Sequence, residues 1–181
     1  MFLYGTSNGI AVTRASTSTL TGAWKLDVSQ SDSLAALLKA SGAPAIVAPA
    51  LARVMDKDIL HLNLDNDVVS LKYHQSWSSL VPFKLQSDIE FKVGEAVTIR
   101  TPNGAQQGQL VSKNDTGCSM IRHGPKKGEK AEDTFEVLQD SLIYCIHHTS
   151  PEGKETRVRR VYSRVLPAPN RLELATATRA A

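Results

Sequence analysis

The first clear periodicity in the chain has a spacing of two. Trp24, Leu26 and Val28 alternate with Lys25 and Asp27, the pattern of a strand with one face against a core. The spacing then lengthens. Leu34, Leu37, Leu38 and Ser41 recur at helical intervals after Ser31 and Asp32, either of which can cap a helix, and Gly42 supplies a left-handed stop. Pro44 can open a second helix, with Ile46, Val47, Leu51 and Val54 on its apolar side and Pro49 early enough to bend it rather than end it. The two pieces make a helix-turn-helix of about 20 residues.

From Lys57 onward the spacing of two returns and persists. Leu60, Leu62 and Leu64 alternate with polar neighbours, Asp65-Asn66-Asp67 interrupts them, and Val69, Leu71 and Tyr73 resume as the second arm of a hairpin. Further strands are expected over 80–86, 89–93, 96–101, 106–113, 116–123, 133–138, 142–148 and 155–165. Turn-forming runs such as Pro102-Asn103-Gly104, Asn114-Asp115 and Pro151-Glu152-Gly153 separate them. About ten strands in meander order after one helical pair predict a mainly β protein, an antiparallel up-and-down barrel whose closure removes exposed edges.

The chain has 181 residues, the size of one ordinary domain. The barrel is expected over 21–166, between a flexible N-terminal tail (1–20) and a C-terminal tail (167–181) with room for a short helix. The first tail is rich in Ser and Thr, with Arg14 its only charge. It has neither the apolar run of a secretory signal nor the several arginines of a transit peptide, so a flexible tail is expected, with a poor transit peptide as the alternative. Hydrophobic residues at 41% and charged residues at 22% argue against wholesale disorder. A formal net charge of +3 is too small by itself to imply nucleic acid as a partner. Two cysteines, Cys118 and Cys145, make no disulfide scaffold and no zinc cluster, and no apolar stretch is long enough to cross a bilayer. A cytoplasmic, monomeric protein is expected.

Several motifs, in order, resemble the intracellular fatty-acid-binding proteins, small barrels of the calycin group. Gly22-Ala23-Trp24-Lys25-Leu26 is similar to that family's opening strand, and Leu38-Lys39-Ala40-Ser41-Gly42 to the end of its first lid helix. Trp77 occupies the place of an aromatic residue at the family's portal. Phe83-Lys84-Leu85, Glu90-Phe91 and Arg160-Val161-Tyr162-Ser163-Arg164 resemble later strands. The likeness spans about 21–166. It departs from the family at the Ser-rich stretch 29–33, in extra residues between Phe91 and Leu142, and in longer tails.

In a strand, residues two apart share a face, so Val158, Arg160, Tyr162 and Arg164 point one way. Arg160 and Tyr162 can therefore meet one ligand: the guanidinium offers a planar fork to a carboxylate, and the phenol adds an uncharged donor. The residues alone also fit a solvated surface strand or a phosphate-binding stripe. The resemblance implies that the pair holds the carboxylate of a fatty acid or related hydrophobic ligand inside the barrel, noncovalently and without cofactor or metal. It further implies that Leu34, Leu38, Val47, Leu51 and Trp77 line the entrance, and that Gly22 and Trp24 are structural, with Arg164 covering the indole. The family's second basic residue has no counterpart in Asp133-Thr134-Phe135-Glu136; Arg122 or a histidine is a candidate replacement. Lys39 and Arg53 are placed to touch anionic lipid headgroups in transient membrane contact.

Other constellations are weaker. His147 and His148 are neighbours in a strand and face opposite ways, so they cannot chelate a metal on one face. There is no phosphate loop or nucleophile elbow. A barrel enzyme acting on a large apolar substrate through inward histidines, His61, His74 or His147, is the alternative to a carrier. The loop holding Lys126, Lys127 and Lys130 is a solvated turn or a contact for nucleic acid or membrane.

Overall fold

A computed structural model describes residues 19–57, 59–65, 68–74, 88–101 and 104–165. Ten strands are present: β1 (Gly22–Leu26), β2 (Ile59–Asp65), β3 (Val68–His74), β4 (Asp88–Lys92), β5 (Ala96–Thr101), β6 (Gly104–Lys113), β7 (Gly117–His123), β8 (Lys130–Leu138), β9 (Ser141–Thr149) and β10 (Glu155–Arg164). Two helices, α1 (Ala35–Ala40) and α2 (Ala48–Met55), lie between β1 and β2. The expected strand over 80–86, with Phe83-Lys84-Leu85 and Trp77, lies outside the described residues.

Every neighbouring pair is antiparallel, and the sheet order is β4-β3-β2-β1-β10-β9-β8-β7-β6-β5. Pairing of the first strand with the last wraps the meander into a barrel. β4 and β5 form its two edges, and the isolated bridge between Val93 and Leu110 is the backbone pairing near that seam.

The alternation read from the sequence places the core. On β9, Leu142, Tyr144, Ile146 and His148 are buried, and on β8 so are Ala131, Asp133 and Phe135. On β10, Val158, Arg160 and Tyr162 point inward. Val161, on the opposite face, is also buried, because the 3-10 turn Val28–Gln30 and Ser31 fold over it; Ser31 Oγ accepts the Val161 N–H at 2.9 Å. That turn also ends β1 early. Asp27 Oδ1 accepts from the Ser29 N–H at 3.0 Å and caps the turn, leaving Val28 58% exposed instead of continuing the strand.

One end of the barrel is plugged by Trp24 and Leu20, both fully buried. Trp24 Nε1 donates to the Leu20 carbonyl at 3.1 Å, and the Leu20 N–H reaches the Asp115 carbonyl at 3.3 Å. Among the described residues Thr19 also reaches the barrel, its hydroxyl donating to the Asp115 carbonyl at 2.8 Å. Arg164 lies 4.2 Å from the centre of the Trp24 ring and donates through Nη1 to the Thr21 carbonyl at 2.7 Å. Its Nη2 donates to the Thr19 carbonyl.

At the helices, Gly42 (φ 95°) closes α1: its N–H donates to Lys39 O at 3.0 Å, and the Ala43 N–H donates to Leu38 O at 2.8 Å. The expected apolar face of α2 is corrected by one residue. Ala48 and Ala52 are the buried positions and Met55 packs beside the core, whereas Ile46 is 93% exposed in the turn and Val47 half exposed at the first cap.

Candidate ligand site inside the barrel

Arg160 is brought inside by the alternation of β10, and only 2% of it reaches solvent. Its Nη1 stands 3.1 Å from Oδ1 of Asp56, the residue that ends α2. Among the described residues neither Nε nor Nη1 has a hydrogen-bond partner; the Asp56 carboxylate is near Nη1 without making a hydrogen bond to it. The Tyr162 ring is its inward neighbour on the same strand, with the guanidinium carbon 5.9 Å from the ring centre.

Opposite Arg160 in register is Tyr144 on β9, and opposite Tyr144 is Phe135 on β8; their rings stack at 4.1 Å. Tyr144 belongs to a second polar group. Its hydroxyl donates to Asp133 Oδ1 at 2.8 Å, and Arg122 donates to the same carboxylate through Nη2 at 2.9 Å and through Nε. Arg122 Nη1 then reaches Gln106 Oε1 at 3.1 Å. Asp133 is 2% exposed with both oxygens occupied, so its buried charge is paired and hydrogen-bonded. Beside it, burial and then the Asp133 charge push the Cys118 thiol up to about 12.

This network forms the polar wall of a cavity of about 110 Å3, otherwise lined by Leu71, Ile89, Phe91, Ile99, Met120 and Phe135. Arg122 also borders a smaller space of about 50 Å3 under α1, with Leu37, Gln106, Glu129 and His148. His148 is 4% exposed, and its Nε2 is 3.6 Å from Glu129.

The other expected site residues scatter. Leu34 is buried and Leu38 packs against the core, Leu51 is half-buried, and Val47 is half exposed. Trp77 lies outside the described residues, as does the side chain of His74. The inward-histidine arrangement is corrected. His61 is exposed on β2, and His147 sits on the outer face of β9, 3.2 Å from Glu155. The inward histidine of that strand is His148. Among the described residues no group of three or more His, Cys, Asp or Glu side chains is placed to hold a metal ion.

Sequence reasoning missed Asp56, Asp133 and Tyr144 as site residues. The last two share the inward phase of Phe135 and of Leu142 and Ile146, so a polar residue within a buried alternation was the available signal. Asp56 had none, since an acidic residue following a helix looks like surface.

No protein-family model matches the chain, and no curated protein does. Solved structures do. A fatty acid binding protein of Schistosoma mansoni in complex with arachidonic acid superposes with a TM-score of 0.64 at 18% identity, covering 83% of this chain and 99% of that one. Lipid binding protein 8 of Caenorhabditis elegans, without ligand, gives 0.63 at 17% identity over 83% and 100% of the two chains. A secretory abundant heat soluble protein of Ramazzottius varieornatus gives 0.60 at 15% over 82% and 96%. The strand order, the paired helices between the first two strands and these superpositions together show that the chain has the fold of the fatty-acid-binding proteins.

Proposed function

We propose that the protein is a noncovalent carrier of a fatty acid or related hydrophobic ligand, whose polar head meets Arg160 and Tyr162 inside the barrel. The observation that carries this reading is the state of Arg160. A guanidinium buried to 98% with two nitrogens lacking hydrogen-bond partners is costly for a fold to keep, and a ligand oxygen supplies the missing acceptor. The Schistosoma mansoni neighbour, which holds arachidonic acid on the same fold, supports a lipid as occupant.

Magnitudes divide the work between head and tail. Each buried methylene contributes about 0.8 kcal/mol, so a long acyl chain offers on the order of 10 kcal/mol before ordering costs. A charge-assisted hydrogen bond adds roughly 1.5 to 3 kcal/mol, enough to orient the ligand and select its head. The cavity of about 110 Å3 is smaller than a cavity of about 150 Å3 that takes benzene, so this space by itself does not hold a long chain.

The test compares oleic acid with oleyl alcohol in displacement of a fluorescent fatty acid. Arg160→Ala is expected to weaken the acid about tenfold to a hundredfold and the alcohol little. Equal loss for both refutes the head-group assignment.

A further inference from the structure

Arg160 already has a counter-ion from the chain itself. Asp56 is 17% exposed through its side chain, ends α2, and places Oδ1 3.1 Å from Arg160 Nη1. Its own N–H closes the helix on the Ala52 carbonyl at 2.9 Å, so the carboxylate is fixed to the last turn of α2. The C-terminal end of that helix adds partial negative charge on the same side. Hence Arg160 is neutralised in charge but not in hydrogen bonds: Nε and Nη1 still lack acceptors.

Those two facts separate ligands by head-group charge. An uncharged oxygen, such as a hydroxyl, makes at most a weak neutral hydrogen bond to the guanidinium and leaves Asp56 where it is. A carboxylate entering the same fork meets Asp56 as a like charge in a site of low dielectric, where repulsion at a few ångströms is strong. It must drive Asp56 off Arg160. Asp56 can make that move because it lies at a helix end and is partly open to water.

We propose that Asp56 is a specificity-determining residue. It acts as an internal counter-ion that a ligand carboxylate displaces and a neutral head group does not, so that acid binding loosens the last turn of α2. The inference rests on the reading that Arg160 meets the ligand head.

The experiment measures oleic acid and oleyl alcohol affinities for the unaltered chain, Asp56→Asn and Arg160→Ala, with hydrogen exchange of the α2 segment in each state. Asp56→Asn is expected to tighten oleic acid about tenfold while leaving oleyl alcohol within about twofold. In the unaltered chain, oleic acid should speed exchange across Leu51 to Asp56 and oleyl alcohol should not. An unchanged acid-to-alcohol ratio in Asp56→Asn, with Arg160→Ala still losing the acid, overturns the role of Asp56 alone. Arg160→Ala without effect on either ligand overturns the head-group reading and this inference together. Should Asp56→Asn fail to fold, Asp56→Ser removes the same charge and is judged by the same ratio.

Discussion

Two arginines face carboxylates inside this barrel, and alignment gives them different roles. Arg122 grips both oxygens of Asp133, which also accepts from Tyr144, so that network is complete without a ligand. Arg160 has charge compensation but unused donors. Removing Asp133 strands a cation that is 23% exposed and still mostly enclosed, whereas replacing both members removes the need for either. Asp133→Leu is therefore expected to cost about 3 kcal/mol in urea unfolding, and Arg122→Met with Asp133→Leu to recover most of it. The neighbouring Cys118 gives an independent probe of burial. Its thiol is raised from an ordinary value of 9.0 to about 12, so the folded state holds the proton more tightly than the unfolded chain. Stability from this group is complete below pH 9.0 and declines as pH rises toward about 12. Iodoacetamide at pH 8 is expected to leave Cys118 unmodified in the native protein and to alkylate it in urea, as peptide mass mapping would show.

At the scale of elements, strands were legible and helix faces were not. A strand has two faces, so residues two apart share one, and Arg160 and Tyr162 are placed with Val158; Val161 and Val165 occupy the other phase, so the choice of inward face comes from the family resemblance. A short helix gives no such certainty. Two strongly apolar residues near α2, Ile46 and Val47, stand in its entry turn and first cap, while the buried positions are filled by Ala48 and Ala52. Ranking by hydrophobicity selects the former; the face that meets the barrel carries the latter, whose small side chains let the helix approach closely. The first helix was easier to end than to begin: Gly42 stops it with the two paired bonds of a left-handed cap, but Asp32 is drawn away to accept the Arg159 N–H at 2.8 Å. With no residue of α1 buried and only two of α2, these short helices have little burial behind them. They are the elements whose exchange should respond to the ligand head.

At the scale of the whole molecule, the barrel is joined at its seam more by side chains than by a hydrogen-bonded ladder. β4 and β5 are both edges, and Phe91 from the first and Ile99 from the second converge on Gly108 of β6. A Cβ built at Gly108 would stand 2.8 Å from the Phe91 ring and 2.9 Å from Ile99 Cδ1. The missing side chain is what allows these two residues to close over the interior, and both line the cavity of about 110 Å3. On the proposed binding mode the ligand's tail lies here, and Phe91 and Ile99 move to admit it. Gly108→Ala forces the same two side chains to shift permanently, into the cavity or across the seam. Overpacking of this kind costs about 1 to 3 kcal/mol, readable as a lower urea midpoint with an unchanged slope. Because the clash is with the tail's space and not with Arg160, oleic acid and oleyl alcohol should weaken together in this variant. Their affinity ratio should stay that of the unaltered chain. Loss of the acid alone would mean that Gly108 acts on the head-group end, and that the apolar space bounded by Phe91 and Ile99 is not where the chain of the ligand lies.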